Sequence, residues 1–262
     1  MTELSKDQYG PVALVTGASS GIGKSFADLL ATLGFDLVLV ARRVERLNDM
    51  AASYKKTHAI NVKVCQVDLT HPTAAQQILD VTASLDIGLI ISNAGFSIKG
   101  DFAKINAKEM ADMLMVNCNT PMQLAHGFVP RLRKRGKGGL VLTSSVEALM
   151  GCPYSTAYSA SKALVKSLGE GLWGELTLEG IDVLTLCPGA TDTEAMDRLG
   201  IDKSKLQNLQ SPDEVAKLTL ENLKNGPTFI PSEHYRRSFE GLTSMPRRDA
   251  LVMMAKSMKP KD

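Results

Sequence analysis

Short apolar runs alternate with amphipathic stretches along most of the chain. Residues 12–15, 36–40, 62–67, 88–92, 140–143, 181–186 and 228–230 read as strands. Between them, helical periodicity covers 24–33, 44–56, 72–84, about 107–135, about 158–178 and 212–224. Short, almost wholly apolar strands that alternate with helices imply a parallel sheet buried on both faces. The expected fold is α/β: a Rossmann-type, doubly wound, parallel seven-stranded sheet in the order 3-2-1-4-5-6-7, the middle of a three-layer α/β/α domain. One domain is expected over residues 1–262, with a substrate loop at about 190–211 and a C-terminal tail at about 233–262.

Composition changes this picture little. The chain has 262 residues, 44% hydrophobic and 22% charged, enough for one full core. A net charge of +2 leaves no nucleic-acid or membrane footprint. Residues 1–10 are polar with no apolar signal core, and no apolar run could span a bilayer, so a cytoplasmic protein is expected. Cys65, Cys118, Cys152 and Cys187 lack metal-type spacing and read as buried thiols in a reducing compartment. The histidines are equally dispersed, so no metal site is expected.

The first strand leads into Thr16-Gly-Ala-Ser-Ser-Gly-Ile-Gly-Lys-Ser25. Glycines at 17, 21 and 23 permit a tight turn, close approach of backbone to a phosphate, and close packing of the next helix. The helix N-terminus then offers free N–H groups to a pyrophosphate. Ala18 to Ser25 also stands one residue away from the G-x-x-x-x-G-K-[ST] pattern of triphosphatases. Such an enzyme needs a magnesium-binding carboxylate at the end of a later strand. The fourth and fifth strands end in Ser92-Asn93 and Ser144-Ser145, although Asp68 ends the third, so the dinucleotide reading is favoured.

Tyr158 and Lys162 are four residues apart, which places them on one helix face. A free phenol titrates near ~10, and a neighbouring ammonium is expected to lower that value toward useful acid–base chemistry. Ser145, at the end of the fifth strand, offers a hydroxyl to hold a substrate oxygen beside the phenol. In dinucleotide folds an acidic residue at the end of the second strand binds the ribose of NAD. Here that strand ends Val40-Ala41-Arg42-Arg43, with no acid and two guanidiniums. The cofactor is therefore expected to be NADP(H), with its 2′-phosphate held bidentately by arginine. Of the pair, Arg42 is the better candidate and Arg43 the one more readily spent as a solvated helix start.

Taken together, Thr16-Gly17-x-x-x-Gly21-x-Gly23, Asp68-Leu69, Ser92-Asn93-Ala94-Gly95, Asn117, Ser145, Tyr158-x-x-x-Lys162 and Pro188-Gly189-x-x-x-Thr193 resemble the motifs of single-domain short-chain dehydrogenases/reductases, in that family's order over about 11–193. Ser92 departs from the asparagine common there, at a position that shapes a turn. The resemblance implies that Tyr158 donates the proton to a carbonyl oxygen, Ser145 holds that oxygen, Lys162 tunes Tyr158 and bonds the nicotinamide ribose, and Asn117 anchors a proton-relay water. It assigns the pyrophosphate turn to Gly17, Ser19, Ser20, Gly21, Ile22 and Gly23, and the adenine side to Asp68 and Leu69. Asn93, Ala94 and Gly95 would support the cofactor-side strand end, and Pro188, Gly189, Thr191 and Thr193 would lie along the nicotinamide.

A small-molecule carbonyl or alcohol substrate and a homodimer or homotetramer follow from the same resemblance. Phe96, Leu149, Met150, Cys152, Tyr154, Met196 and Leu199 are expected beside the nicotinamide, an apolar mouth suited to a bulky lipophilic, hydroxysteroid-like ketone. A 3-oxoacyl thioester reductase and a non-catalytic nucleotide sensor are the alternatives. The second has no need of the Asn117, Ser145, Tyr158 and Lys162 set. The tail could be a lid, an interface helix or a disordered end.

Overall fold

The computed structural model describes residues 4–206 and 208–259; the predicted ends at 1–3 and 260–262, and position 207 of the predicted substrate loop, lie outside the described residues. In chain order the elements are α1 (Lys6–Tyr9), β1 (Val12–Thr16), α2 (Gly21–Thr32), β2 (Asp36–Ala41), α3 (Val44–His58), β3 (Val62–Gln66), α4 (Ala74–Val81) and β4 (Ile87–Ser92). They continue with α5 (Ala107–Leu114), α6 (Thr120–Arg135), β5 (Gly138–Thr143), α7 (Thr156–Leu176), β6 (Ile181–Leu186), α8 (Glu194–Arg198), α9 (Pro212–Glu221), β7 (Thr228–Phe229), α10 (Glu233–Ser244) and α11 (Arg247–Met258).

The seven strands form one sheet in the order β3-β2-β1-β4-β5-β6-β7. Every pairing is parallel, as the apolar strand pattern requires. Two apolar layers flank it. One packs α2, α3 and α9 against one face through Phe26, Leu30, Leu47 and Val215. The other packs α4, α6 and α7 against the opposite face through Ile78, Leu124, Phe128 and Val165. Edge strand β3 buries only Cys65 and leaves its other positions partly or fully open, unlike the fully buried β1, β4 and β5. The chain reverses direction across the sheet between β1 and β4, so their carboxyl ends open a crevice of the kind that binds nucleotides.

Two predicted elements differ. The stretch 107–135 is two helices joined by a π-turn at Met115–Asn119. Pro121 has no N–H to give the carbonyl of Asn117, which releases that turn from regular α-geometry. The tail is an ordered pair of helices: Phe239, Ala250 and Met254 bury against Val146, Met150 and Cys152. No described helix is long and apolar enough to cross a membrane.

Candidate active site

The strand-end residues of interest lie along the carboxyl edge of the sheet, from Arg43 after β2 to Pro188 after β6. The crevice floor is tied first. Thr16 Oγ1 accepts from the backbone N–H groups of Asn93 and Ala94, each at 3.0 Å, and Asn93 Nδ2 donates to the Thr16 carbonyl at 3.3 Å. Beneath that tie the turn has no room for side chains. A Cβ on Gly23 would stand 2.4 Å from the Gly17 carbonyl oxygen and 2.6 Å from Asn93 Nδ2. Gly17 adopts φ of 70°, where an added Cβ would meet Ala94 Cα at 3.0 Å. This cradle of close backbone at a helix N-terminus fits a dinucleotide's pyrophosphate.

The competing triphosphatase pattern is spent on structure. Lys24 Nζ pairs with Asp28 along α2 at 2.7 Å, and Ser25 Oγ donates to Asp213 at 2.5 Å. Neither group faces the turn.

At the end of β5, Ser145 adopts extended backbone and its Oγ accepts from Glu147 N–H at 3.2 Å, capping a short 3₁₀ turn. Val146 N–H donates to the Pro188 carbonyl at 3.1 Å, tying the ends of β5 and β6. Tyr158, in the first turn of α7, has its phenol pushed above its usual range, chiefly by burial and then by the Glu147 charge, while its hydrogen bond with Ser145 pulls the other way. Lys162 is only 3% exposed. Its Nζ donates to the Thr143 carbonyl at 2.8 Å and sits 5.8 Å from the centre of the Tyr158 ring. Burial pushes this ammonium down to about 8. The direction for the phenol is thus opposite to the expected lowering, because burial disfavours the charged form and is the largest influence on each group.

Asn117 enters the same space from the π-turn. Its Nδ2 donates to the Phe96 carbonyl at 2.9 Å and to Ser161 Oγ at 3.1 Å, and its Oδ1 accepts from Phe96 N–H at 3.1 Å. It therefore fixes the start of the loop that bears Phe96. A Cβ on Gly95 would lie 3.1 Å from both Asn117 Oδ1 and Lys162 Nζ, so this glycine keeps the space between them clear.

The sequence matches the family model for short chain dehydrogenases over residues 11–204. The chain belongs to the short-chain dehydrogenase family. A 7beta-hydroxysteroid dehydrogenase of Clostridium sardiniense is 28% identical, covering 96% of this chain and 97% of that protein. Among solved structures, a short-chain dehydrogenase from Sphingobium yanoikuyae in complex with NADPH has a TM-score of 0.82 at 33% identity, covering 93% of this chain and 95% of that one. A bulky-bulky ketone specific alcohol dehydrogenase from Comamonas testosteroni has a TM-score of 0.78 at 30% identity, covering 94% of each chain. This short-chain dehydrogenase is accordingly an oxidoreductase of alcohol and ketone groups that uses a nicotinamide cofactor.

Other expected residues are distributed around that centre. Asp68 Oδ1 accepts from Thr70 N–H and Oγ1 at 3.0 and 2.9 Å. The Leu69 side chain lies in the core, so only its backbone is available to a ligand. Ile22, in the first turn of α2, packs partly buried against the core. Thr193 lies over Gly21, 3.0 Å from where a Cβ would be. Thr191 bridges Gln210, which closes the base of the substrate loop. Gly189 is required by the tail: a Cβ there would stand 2.1 Å from the Tyr235 ring.

Arg42 and Arg43 point in different directions. Arg42 is exposed, whereas Arg43 turns over the Gly-rich turn. Its Nε and Nη2 donate to Ser19 Oγ at 3.1 and 3.0 Å, and Nη2 also to Ser20 Oγ at 2.6 Å. Met150 and Cys152, expected beside the nicotinamide, belong instead to the core cluster under α10 and α11. With Leu149 they line a cavity of about 510 Å³ that Thr156, Ala160 and Ala163 also face, on the side of α7 turned away from Tyr158 and Lys162.

Residues that the motifs did not mark also reach the site. Glu147 bears on Tyr158 and pairs with Lys99 at 3.3 Å. Arg46 and Glu194 join Arg43. Arg46 was findable, since it follows Arg43 by three residues and so shares its helix face.

Proposed function

We propose that this short-chain dehydrogenase interconverts a bulky lipophilic ketone, hydroxysteroid-like in size, with its secondary alcohol, using NADP(H). The observation that supports this best is the convergence of Ser145, Tyr158 and buried Lys162 at the crevice edge, with Asn117 holding the backbone of Phe96 nearby. The bound nicotinamide supplies or accepts the hydride. Ser145 Oγ holds the carbonyl oxygen, and Tyr158 delivers the proton to it; in the alcohol direction Tyr158 takes that proton back. Lys162 presents a cation to the ribose hydroxyls from the floor formed by Thr143. Asn117 holds Phe96 in register with Tyr158 and faces the cleared space at Gly95, through which a water can pass the proton to Lys162.

The phenol stays protonated through neutral pH, which suits ketone reduction. Alcohol oxidation needs the deprotonated form and should rise with pH. The names of two relatives, a hydroxysteroid dehydrogenase and a bulky-bulky ketone specific alcohol dehydrogenase, support a bulky lipophilic substrate. A screen of steroid ketones, diaryl ketones, acyl thioesters and sugars with NADPH is expected to give a kcat/KM at least about 100-fold higher for a steroid or diaryl ketone than for any sugar, the scale of a few buried apolar groups. Preference for a polyol would overturn the substrate class.

The NADP(H) preference rests on Ala41 in place of an acid and on Arg43 over Ser19 and Ser20. Arg43→Ala is expected to raise the KM for NADPH by about 10- to 100-fold, the scale of a lost charge-assisted contact, while Arg42→Ala raises it less. KM values for NADH should change little in either variant. Equal loss of NADPH and NADH in Arg43→Ala would remove the claim.

A further inference from the structure

Arg43 and Arg46 both end on one carboxylate. Arg43 Nη1 meets Glu194 Oε2 at 2.7 Å, and Arg46 Nη1 meets Glu194 Oε1 at 2.6 Å. Glu194 opens α8, within the expected substrate loop, so these pairs join the Gly-rich turn and the start of α3 to that loop. Each guanidinium takes one oxygen, the arrangement with which two arginines hold two oxygens of a phosphate monoester. The remaining donors of Arg43 stay on Ser19 and Ser20 of the Gly-rich turn. The cation assigned above to the 2′-phosphate is therefore the one that already holds Glu194.

We propose that Glu194 is a carboxylate stand-in for the 2′-phosphate of NADP(H), so that the phosphate and the α8 end of the substrate loop compete for Arg43 and Arg46, and Glu194 sets how strongly NADP(H) is preferred over NAD(H). This rests on the NADP(H) reading. A phosphate and a carboxylate repel and need the same donors, so they cannot share the pair. The adenosine ribose of NAD(H) has no such group and leaves the latch closed. Arg46 and then Arg43 hold the Glu194 carboxyl down at about 2, so the competitor stays ionised throughout the working pH range. The three side chains are 39%, 52% and 41% exposed, which limits the effect to about five- to tenfold.

The test uses adenosine 2′,5′-bisphosphate and adenosine 5′-monophosphate as probes, with titration calorimetry on the full chain and on Glu194→Gln. The variant is expected to bind the bisphosphate about five- to tenfold more tightly and the monophosphate within twofold of the parent. In the parent, hydrogen exchange at residues 194–199 should quicken on adding the bisphosphate and not on adding the monophosphate. If the bisphosphate binds the parent better than the monophosphate, yet Glu194→Gln leaves that margin and the bisphosphate does not alter exchange, the latch is wrong and the NADP(H) reading stands. If the bisphosphate has no advantage in either protein, both fall.

Discussion

Tyr158→Phe is expected to lower kcat for ketone reduction by about 10²- to 10⁴-fold, the range of a lost general acid, while leaving the Kd for the cofactor within about twofold. The ring would remain in place beside Lys162, whose Nζ rests 5.8 Å from its centre, so the substitution removes a hydroxyl and little packing. Ser145 would lose its partner at the crevice edge, and the carbonyl oxygen would have one donor where it now has two. Ser145→Ala should therefore cost less than the loss of the phenol, because the proton source survives. Burial and the Glu147 charge hold the phenol in its protonated form. Reduction by the parent should accordingly be nearly flat from pH 6 to about 7 and fall above about 8, where Lys162 gives up its proton, with oxidation climbing as the phenol ionises. Steady-state kinetics in both directions, with cofactor binding followed by nicotinamide fluorescence, check both parts. A Phe variant that keeps more than about a tenth of the parent's kcat would show that another group donates the proton.

The sheet order was legible because each strand is a short apolar run, and a parallel sheet buries both faces of such runs. The glycine turn was legible for the same kind of reason: a Cβ at Gly23 has nowhere to go. What stayed hidden depends on direction. The pattern Ala41-Arg42-Arg43 gives two adjacent cations, and adjacent residues at a helix start point to different sides. Only the backbone path into α3 shows that Arg43 faces Ser19 and Ser20 while Arg42 faces solvent. Glu194 is separated from Arg43 by 151 residues, and no local periodicity joins them. Met150 and Cys152 were read as mouth residues since they follow Ser145 closely, yet they pack under the tail helices and line a cavity on the far side of α7. The Tyr158–Lys162 spacing showed proximity but not burial, and burial reverses the sign of the expected effect on the phenol.

Lys162→Met should lower turnover by at least about 100-fold, and it should also change how stability responds to pH. Lys162 is 3% exposed and its ammonium is held down at about 8, against an unfolded value of 10.5. Below pH 8 the group is protonated in both states, and the fold bears the whole cost of burying the charge. Between the two values the folded protein has released a proton that the unfolded chain retains, so this residue adds stability as pH rises. Above 10.5 the contribution is level. Methionine has similar volume and no proton to bind, so it removes this dependence along with the bond to the Thr143 carbonyl. All other titrating groups are common to both proteins and cancel in the difference. Urea unfolding at intervals from pH 7 to 10.5 should show the parent gaining on the variant by roughly 3 kcal/mol across the range, from the size of the shift. The gain should begin near pH 8. A parent that instead loses ground to the variant as pH rises would mean that the folded site stabilises the ammonium. Burial would then not be the force acting on the residue beneath Tyr158, and Lys162 would be a cation held in place by its surroundings at every working pH.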